Sequence, residues 1–519
     1  MTIRPHYRYK TEPRGKQREV VETTWDEFVW GLLCRPGTGK TKMFLDTAGM
    51  LWCADRIDAL LVIAPDGVDR QWIKEGAPTH LSDDVPRVCG NYKSQMGKQA
   101  YEALLRGIVR STKDKLKVLT ISFDGVQTVR GKKLVEEFLR QHRVLGVDDE
   151  SHRTSNPKTA ASKAVKKVLR ACRYRRIGTG TLIRQNPFSA YGQFDLLGDG
   201  LLGFSSMTAF KSMYAELLPK DNWLVQRISK QIADKTKQRG ADGKLPFTPQ
   251  IVATDDNGRP MFRNLPDLRK RLLKVASMLT LADVNGKEPV VNESTRYVQL
   301  TTAQVAVYHE LQKYGVAQAP GGQLTADGAL AMSIRLAQIA GGYAPSDDDP
   351  AAAQVGEVNP KVQEVLGLIE ELGEGKLVIW CKFRAEIAGL LAKLREVYGP
   401  ASTVEYHGSL NGKQKDAAKR TFIDDPACRF FVGQTRAGGT GLDGMQAVAQ
   451  YMVFYSNDYP YELRDQAIGR LARTGGSDVV QVWDIVAEGT VDDDVIDCMR
   501  AAQDVSETVL LRAVRRDPA

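Results

Sequence analysis

The sequence predicts an α/β protein with two parallel-sheet domains and helical insertions. Its 519 residues are too many for one hydrophobic core, so two or more domains are expected. Short aliphatic and β-branched runs alternate with helical stretches up to about residue 200, and the alternation resumes at residue 376. Amphipathic helical pieces separate the two regions. Strands that alternate with helices favour parallel pairing, because the crossover helices cover both faces of the sheet.

Each half of the chain holds five strand candidates. Those of the first half are 28–33, 59–64, 117–122, 144–149 and 175–179, and those of the second are 376–381, 403–408, 429–434, 451–456 and 479–486. We therefore divide the chain into a first α/β domain (1–200), a helical protrusion and linker (201–295), a second α/β domain (296–500) that includes a helical insertion (301–345), and a C-terminal tail (501–519).

Composition and charge restrict the class of protein. The hydrophobic fraction of 42% and the charged fraction of 26% are ordinary for a globular protein, and no apolar run approaches the roughly 20 residues of a membrane helix. The basic N-terminus lacks the apolar core of a secretory signal, so we expect a cytoplasmic protein. Seven single cysteines lack the paired spacing of a zinc site. The net charge of +9 is compatible with a nucleic-acid partner, although many basic proteins bind none.

The strongest local motif is G-T-G-K-T, which follows the first strand candidate and precedes a helical stretch. Gly37, Thr38 and Gly39 let the backbone amides turn inward as an anion nest at a helix N-terminus. Lys40 is placed to reach the β- and γ-phosphates of a nucleotide, and the Thr41 hydroxyl to bind Mg²⁺. The alternative is a glycine-rich turn that opens an ordinary helix. The strand before the motif and the helix after it favour the phosphate loop.

Two carboxylates stand at the end of a strand candidate. Asp149 and Glu150 end the run 144–149 and begin the next turn. A carboxylate at this edge of a parallel sheet can help to hold Mg²⁺ beside the phosphate loop, a role that fits Asp149. Glu150 fits the group that orients and deprotonates an attacking water. The alternative is an acidic turn without chemistry, and the upstream phosphate loop disfavours it.

A pair of arginines occurs near the end of the second domain. A nucleotide site that is split between two domains needs a cation delivered from the far side, and arginine is permanently charged and forks onto phosphate oxygens. Arg470 and Arg473 have a spacing that puts both on one face of a helix, with Gln466 one turn before. A solvated basic helix face is the alternative.

These motifs, in this order, resemble helicase superfamily two, and more closely its Swi/Snf-type branch. D-E-S-H (149–152) resembles the branch's acidic motif, 60–75 with Trp72 its second motif, and T-G-T (179–181) the motif that links nucleotide state to DNA contact. Further matches are 298–311, 434–445 and 465–476. Leu182 stands where the branch usually has proline, Asp443 where it has asparagine, and the final motif ends R-T-G-G instead of R-x-G-Q.

The resemblance implies two RecA-like domains that hold ATP and Mg²⁺ between them in a DNA-dependent ATPase. It assigns nucleotide binding to Gln17, which would read adenine, and to Gly441 and Asp443. It assigns coupling of the two domains to His152, Thr179, Gly180, Thr181 and Gln466. It implies a compact viral or bacterial form, in the host cytoplasm if viral, and a monomer.

The resemblance also implies that the chain tracks double-stranded DNA without full strand separation, although RNA stays open. Candidate nucleic-acid contacts are Lys382, Arg384 and Thr435, and the first two equally fit a solvated helix start. A strand-separating helicase is one alternative, and it would need a wedge hairpin in the second domain, which the sequence does not reveal. A non-translocating ATP-gated DNA clamp is the other. A metabolic P-loop kinase is excluded, because it has no use for a second domain with an arginine pair.

Overall fold

The computed structural model describes residues 6–111, 114–180, 182, 186–236, 248–256, 260–347, 353–438, 442, 444–473 and 475–510. Within them, the chain forms two α/β lobes, each built on a fully parallel sheet. The two-domain parallel α/β prediction is therefore confirmed. No helix in these ranges has both the length and the apolar character that crossing a bilayer requires.

Lobe one is built on a seven-stranded sheet with the order β3-β4-β2-β5-β6-β1-β7. Its strands are β1 (Val29–Cys34), β2 (Ala59–Ala64), β3 (Arg87–Tyr92), β4 (Leu116–Ser122), β5 (Val144–Asp149), β6 (Tyr174–Thr179) and β7 (Ala276–Leu279). Its helices are α1 (Gln17–Thr24), α2 (Lys40–Cys53), α3 (Val68–Gln71), α4 (Ala77–His80), α5 (Lys98–Leu104), α6 (Val129–Gln141), α7 (Ala160–Ala171), α8 (Phe188–Leu197), α9 (Met207–Tyr214), α10 (Trp223–Thr236), α11 (Leu265–Leu272) and α12 (Leu281–Asn285).

Lobe two is built on a six-stranded sheet with the order β14-β15-β13-β16-β17-β8. Its strands are β8 (Val290–Val298), β9 (Val316–Ala319), β10 (Gly322–Thr325), β11 (Tyr343–Ala344), β12 (Ala353–Gln354), β13 (Leu377–Cys381), β14 (Thr403–Tyr406), β15 (Phe430–Gln434), β16 (Tyr451–Phe454) and β17 (Val479–Ala487). Its helices are α13 (Thr302–Tyr314), α14 (Ala329–Ala340), α15 (Pro360–Leu372), α16 (Arg384–Tyr398), α17 (Gly412–Asp424), α18 (Tyr461–Ile468) and α19 (Val491–Leu510).

The central strands are apolar on both faces because helices cover both sides of each sheet. All six residues of β2 are buried, and alternate side chains of this strand belong to two separate core clusters. The strand β13 is likewise divided between two clusters in lobe two. Continuous apolar runs of this kind are typical of buried parallel strands, and they explain why the central strands were predictable.

The predicted boundary between the linker and the second domain at residue 295 is wrong. The boundary cuts through β8, which begins at Val290 and pairs with β17 in lobe two. The strand β7, also inside the predicted linker, pairs with β1 in lobe one. Both are edge strands: β7 has only four residues, and β8 carries polar residues along most of its length. Hydrophobic periodicity is weak in such strands, because only one side pairs with a neighbour.

Two further predictions in lobe two are corrected. The insertion 301–345 is not entirely helical, because β9 and β10 form an antiparallel hairpin between α13 and α14. The hairpin packs on its own lobe through the buried side chains of Ala317, Ala319 and Leu324. The predicted tail begins inside α19, which continues to Leu510. Four-residue strands are too short to reveal an alternating pattern in a sequence.

Candidate active site between the two lobes

The phosphate loop connects β1 to α2, as the motif predicted. Gly37 and Gly39 have φ angles of 83° and 82°, in the left-handed region that favours glycine. The Lys40 ammonium donates a hydrogen bond to the carbonyl of Cys34 at 3.0 Å. The Thr38 hydroxyl donates to the carbonyl of Arg35 at 2.7 Å. The loop is therefore held open around the N-terminus of α2, where backbone amides and the helix dipole favour an anion.

Gln17, the first residue of α1, supports this loop through hydrogen bonds. Its side chain is buried, and its Nε2 donates to the carbonyl of Thr38 at 2.7 Å while its Oε1 accepts from the Arg14 amide at 2.8 Å. A Cβ atom at Gly39 would lie 2.5 Å from Gln17 Nε2, so a side chain there would displace the glutamine. The assigned adenine contact stays a prediction, and loop support is an additional role that the sequence did not reveal.

The two carboxylates at the end of β5 lie in different surroundings. Asp149 Oδ2 accepts a hydrogen bond of 2.8 Å from the indole Nε1 of Trp72. Glu150 is one of the few non-glycine residues with positive φ, at 67°, and its Oε2 lies 3.2 Å from Nδ1 of His152. The left-handed turn separates the two side chains, because it ends the strand directly after Asp149.

The same surroundings separate the pKa values of the two carboxylates. Burial raises the pKa of Asp149, and the negative charge of Glu150 raises it further. Burial also opposes ionisation of Glu150, but the adjacent imidazole of His152 and the positive charge of Lys40 outweigh it and lower its pKa. Glu150 is therefore ionised at neutral pH and can accept a proton. A nearby cation would stabilise the ionised form of Asp149.

A chain of side chains joins the lobes beside Glu150. Nδ1 of His152 lies 3.1 Å from the hydroxyl of Thr179 at the end of β6. Nε2 of His152 lies 3.5 Å from Nε2 of Gln466 on α18 of lobe two. A Cβ atom at Gly180 would lie 2.9 Å from Pro36, so this segment packs against the phosphate loop. The structure thus brings together four of the five predicted coupling residues, and Thr181 lies outside the described residues.

Sequence reasoning missed Gln193 on α8. This residue is fully buried, and its Oε1 accepts from the Ser151 hydroxyl at 2.7 Å while its Nε2 donates to the carbonyl of Leu182 at 2.8 Å. It therefore links the D-E-S-H turn with the T-G-T segment inside lobe one. A Cβ atom at Gly192 would lie 1.7 Å from the Ser155 carbonyl oxygen, so α8 packs closely on this turn. The available signal was a glutamine on the buried side of a mainly apolar helix.

Arg470 and Arg473 reach the site, but not from a helix. The helix α18 ends at Ile468, and both arginines lie in the turns that follow. The prediction that they share a helix face is therefore wrong, because the chain leaves helical geometry at Gly469. A Cβ atom at Gly37 would lie 3.2 Å from Arg473 Cβ, so lobe two touches the phosphate loop.

Two cavities lie along the contact between the lobes. The first, of about 430 Å³, is lined by phosphate-loop residues with Asp149 and Glu150 from lobe one, and by Gln466, Arg470 and Arg473 from lobe two. The second, of about 450 Å³, is lined by the loops after β2, β4 and β5 and by Arg436, Pro460, Glu462 and Leu463 of lobe two. Glu150 and Gln466 line both cavities and form part of the wall between them.

The predicted nucleic-acid residues are not equivalent. The Lys382 ammonium lies 3.9 Å from Asp458, whose other oxygen accepts a 2.7 Å hydrogen bond from Arg436. Arg384 is exposed at the first position of α16, and Thr435 is buried. Lys382 is thus a partly enclosed, paired cation and not a solvated helix start. Their contact with nucleic acid stays a prediction.

Two predicted nucleotide-binding residues, Gly441 and Asp443, lie outside the described residues. Within the described ranges, no group of three or more His, Cys, Asp or Glu side chains is placed to hold a metal ion.

Several known proteins are similar to this chain. A solved structure, the Sulfolobus solfataricus SWI2/SNF2 ATPase core in complex with dsDNA, is similar with a TM-score of 0.38 and 18% identity, over 99% of this chain and 95% of that chain. The chain is 23% identical over 404 residues to the TATA-binding protein-associated factor MOT1 of Saccharomyces cerevisiae. It is 23% identical over 449 residues to the DNA repair and recombination protein RDH54 of the same organism.

Residues 360–475, which hold the arginine pair, match the family described as Helicase conserved C-terminal domain. The chain is thus similar over most of its length to known DNA-associated proteins, and its second lobe matches a helicase C-terminal domain. The chain aligns over 70% of its length with MOT1 and 84% with RDH54, but it spans only 20% and 43% of those relatives. The viral or bacterial form stays a prediction.

Proposed function

We propose that this chain is a Swi/Snf-type, DNA-dependent ATPase that translocates on double-stranded DNA and remodels or displaces bound complexes. The observation that carries the proposal is the first cavity, where Lys40, Asp149 and Glu150 of lobe one face Arg470 and Arg473 of lobe two. A nucleotide site divided in this way is complete only when the lobes close. Hydrolysis and relative movement of the lobes are then linked, which is what a motor requires.

The residues of the cavity fit ATP with Mg²⁺. The Lys40 ammonium, which rests on a carbonyl of its own loop, would turn to the β- and γ-phosphates. Mg²⁺ favours one or two protein oxygens together with phosphate oxygens, and Thr41 and Asp149 supply these in the same cavity. Bound Mg²⁺ supplies charge neutralisation at the phosphates. The raised pKa of the buried Asp149 supports this role, because a carboxylate of this kind gains most from a cation.

Glu150 would orient and deprotonate the attacking water. Its lowered pKa keeps it ionised, and one of its oxygens lies 3.2 Å from His152. A carboxylate with a lowered pKa is a weak base, so orientation of the water is the larger part of this role. Arg470 and Arg473 would stabilise the charge that develops on the transferred phosphoryl group. The arginines belong to the lobe opposite the phosphate loop, so they would act only in the closed arrangement.

Double-stranded DNA would lie along the second cavity, where loops that follow strands of both lobes meet. The net charge of +9 supports a phosphate-backbone partner. The name of one relative, DNA repair and recombination protein RDH54, points to the same class of substrate. Glu150 and Gln466 line both cavities. DNA that moves these side chains from the second cavity would therefore also change the geometry of the nucleotide cavity.

A strand-separating helicase is the second candidate, because lobe two carries the hairpin β9–β10. The hairpin is short and packs on its own lobe, which disfavours a wedge that enters a duplex. An ATP-gated clamp is the third candidate, and the full set of hydrolytic residues disfavours it.

The deciding experiment compares ATP hydrolysis without nucleic acid and with single-stranded DNA, duplex DNA or duplex RNA. We expect the largest stimulation with duplex DNA, together with ATP-dependent displacement of a third strand from a DNA triplex and no unwinding of a forked duplex. Unwinding of the fork would favour the helicase. Stimulated hydrolysis without displacement would favour the clamp, and no stimulation by any nucleic acid would overturn the proposal.

A further inference from the structure

Arg35 opens the phosphate loop but points away from the nucleotide cavity. Its backbone amide donates to the carbonyl of Leu279 at 3.0 Å, which anchors the residue to β7. Its side chain enters a separate cavity of about 230 Å³ between the lobes. That cavity is lined by the connector between the lobes and by α18 of lobe two, so Arg35 belongs to one lobe and ends beside the other.

The guanidinium of Arg35 lies between two carboxylates that belong to different parts of the chain. One nitrogen donates a 2.8 Å hydrogen bond to Glu288, in the connector before β8. The other lies 3.5 Å from the carboxylate of Asp465 on α18. The Asp465 side chain is only 13% exposed, so solvent screens this ion pair less than an exposed surface pair.

Asp465 directly precedes Gln466, and the turn that bears Arg470 and Arg473 begins four residues later. Beside this ion pair, a Cβ atom at Gly469 would lie 3.0 Å from Pro36 Cβ, so the phosphate loop and the end of α18 are in close contact. A displacement of α18 away from the phosphate loop would therefore separate Arg35 from Asp465 and also shift the arginine pair relative to Lys40. Misplacement of a reacting group by about 1 Å can cost on the order of 100-fold in rate.

We infer that Arg35 is a positioning residue that sets how closely α18 approaches the phosphate loop, and so places Arg470 and Arg473 for hydrolysis. The Arg35–Asp465 ion pair forms when the lobes close, and it separates when they open. The Arg35–Glu288 hydrogen bond can persist in both arrangements, because Glu288 lies in the connector and not in the lobe that moves. Arg35 itself contacts no nucleotide in this role. The inference rests on the proposed ATPase function.

The test is a charge exchange between the two lobes. Arg35→Asp and Asp465→Arg should each lower duplex-stimulated kcat by at least about tenfold with little change in the KM for ATP, because the phosphate loop is intact and only the arginine pair is misplaced. The double variant should recover part of the rate but not all of it, because the exchange restores an ion pair between the lobes and leaves Glu288 beside a second carboxylate. Arg35→Lys should keep an intermediate rate, because it retains the charge but not the fork that reaches both carboxylates.

The matched control is Lys287→Ala. It removes a 2.6 Å ion pair between the connector and Asp478 of lobe two, in which both side chains are about 70% exposed, and it should leave the rate unchanged. A melting temperature measured for each variant separates misfolding from mispositioning. The inference is overturned if the single variants hydrolyse ATP like the wild type, or if the double variant is no better than the singles while all remain folded. A wild type that DNA does not stimulate would instead overturn the proposed function.

Discussion

Nε2 of His152 in lobe one lies 3.5 Å from Nε2 of Gln466 in lobe two, and Nδ1 of the same ring lies 3.2 Å from the carboxylate of Glu150. One imidazole thus touches both the base that would activate water and the lobe that would move. Gln466 also lines the second cavity, where we propose that DNA lies. A movement of Gln466 there can therefore reach Glu150 through the side chain of His152.

This relationship predicts that His152→Ala and Gln466→Ala both lower duplex-stimulated hydrolysis. Gln466→Ala should leave DNA-independent hydrolysis nearly unchanged, whereas His152→Ala should lower it too, because His152 also contacts Glu150. The double variant should be no worse than the more severe single one, because both remove the same link. The measurement is the ATPase rate of the wild type, the two single variants and the double variant, each with and without duplex DNA. Additive losses would mean that the two residues act independently and that the contact does not couple the lobes.

Lys40→Ala and Glu150→Gln should both abolish turnover but differ in nucleotide binding. Lys40 would hold the triphosphate, so its loss should weaken ATP binding, whereas Glu150 would act on the water, and its variant should still bind ATP and hold the lobes closed. Titration with a fluorescent ATP analogue, beside single-turnover hydrolysis, measures the two effects. Near-normal hydrolysis in Glu150→Gln would remove Glu150 from the base role.

Arg470→Ala and Arg473→Ala should lose duplex-stimulated turnover by roughly 1,000-fold, the scale of arginine fingers in other phosphoryl-transfer enzymes, and should retain DNA affinity. Arg436→Ala is the contrasting variant, because Arg436 is exposed beside the second cavity and should instead weaken DNA binding and its salt dependence. Hydrolysis and DNA affinity measured at several salt concentrations test both. An arginine-pair variant with full stimulation and weak DNA binding would be reassigned as a DNA contact.

Nucleotide choice tests Gln17. We expect the wild type to prefer ATP over GTP, because an amide can pair with the adenine edge, and we expect Gln17→Ala to lose part of that preference. The variant should also bind both nucleotides more weakly, since Gln17 supports the phosphate loop through Thr38. Equal use of ATP and GTP by the wild type would contradict the adenine assignment and leave the loop support as its role.

Buried Glu386 should make stability depend on pH. Burial raises the pKa of Glu386 from 4.5 to about 7, so the folded chain keeps a proton that the unfolded chain releases, and the free energy of unfolding falls as pH rises through this range. Glu386→Gln keeps an oxygen for the amides of Lys382 and Phe383 and should be more stable than the wild type at pH 8, by on the order of 3 kcal/mol.

Urea unfolding at pH 5 and pH 8 measures this difference. The control is Glu396→Gln on the same helix, where the carboxylate is exposed and the stability profile should not change. A Glu386→Gln variant that keeps the pH slope of the wild type would show that the slope arises elsewhere.

The local sequence pattern was sufficient to predict those features that depend only on residues close together in the chain. The strands β2 and β5 have the predicted bounds, and the phosphate loop lies between a strand and a helix as its motif requires. Periodicity and glycine spacing carry this information because backbone conformation and burial of a central strand repeat within a few residues. The two-lobe α/β architecture follows from the same alternation.

Other features depend on residues that are remote in sequence, and only the tertiary structure decided them. The polar strand β8 becomes part of lobe two by pairing with β17, and Gln193 meets Ser151 only because α8 packs on the D-E-S-H turn. Arg470 and Arg473 reach the nucleotide cavity from a turn and not from the expected helix face.

The sequence by itself therefore determined which chemical groups are available: a phosphate loop, two carboxylates and a pair of arginines. The tertiary structure decided which of these groups meet, and it added contacts such as that of Arg35 with Asp465, between residues that are far apart in the chain. The physical reason is that conformation and burial of a short segment are local properties. Ion pairs, hydrogen bonds between lobes and the pKa values they shift depend on distances that only the folded chain sets.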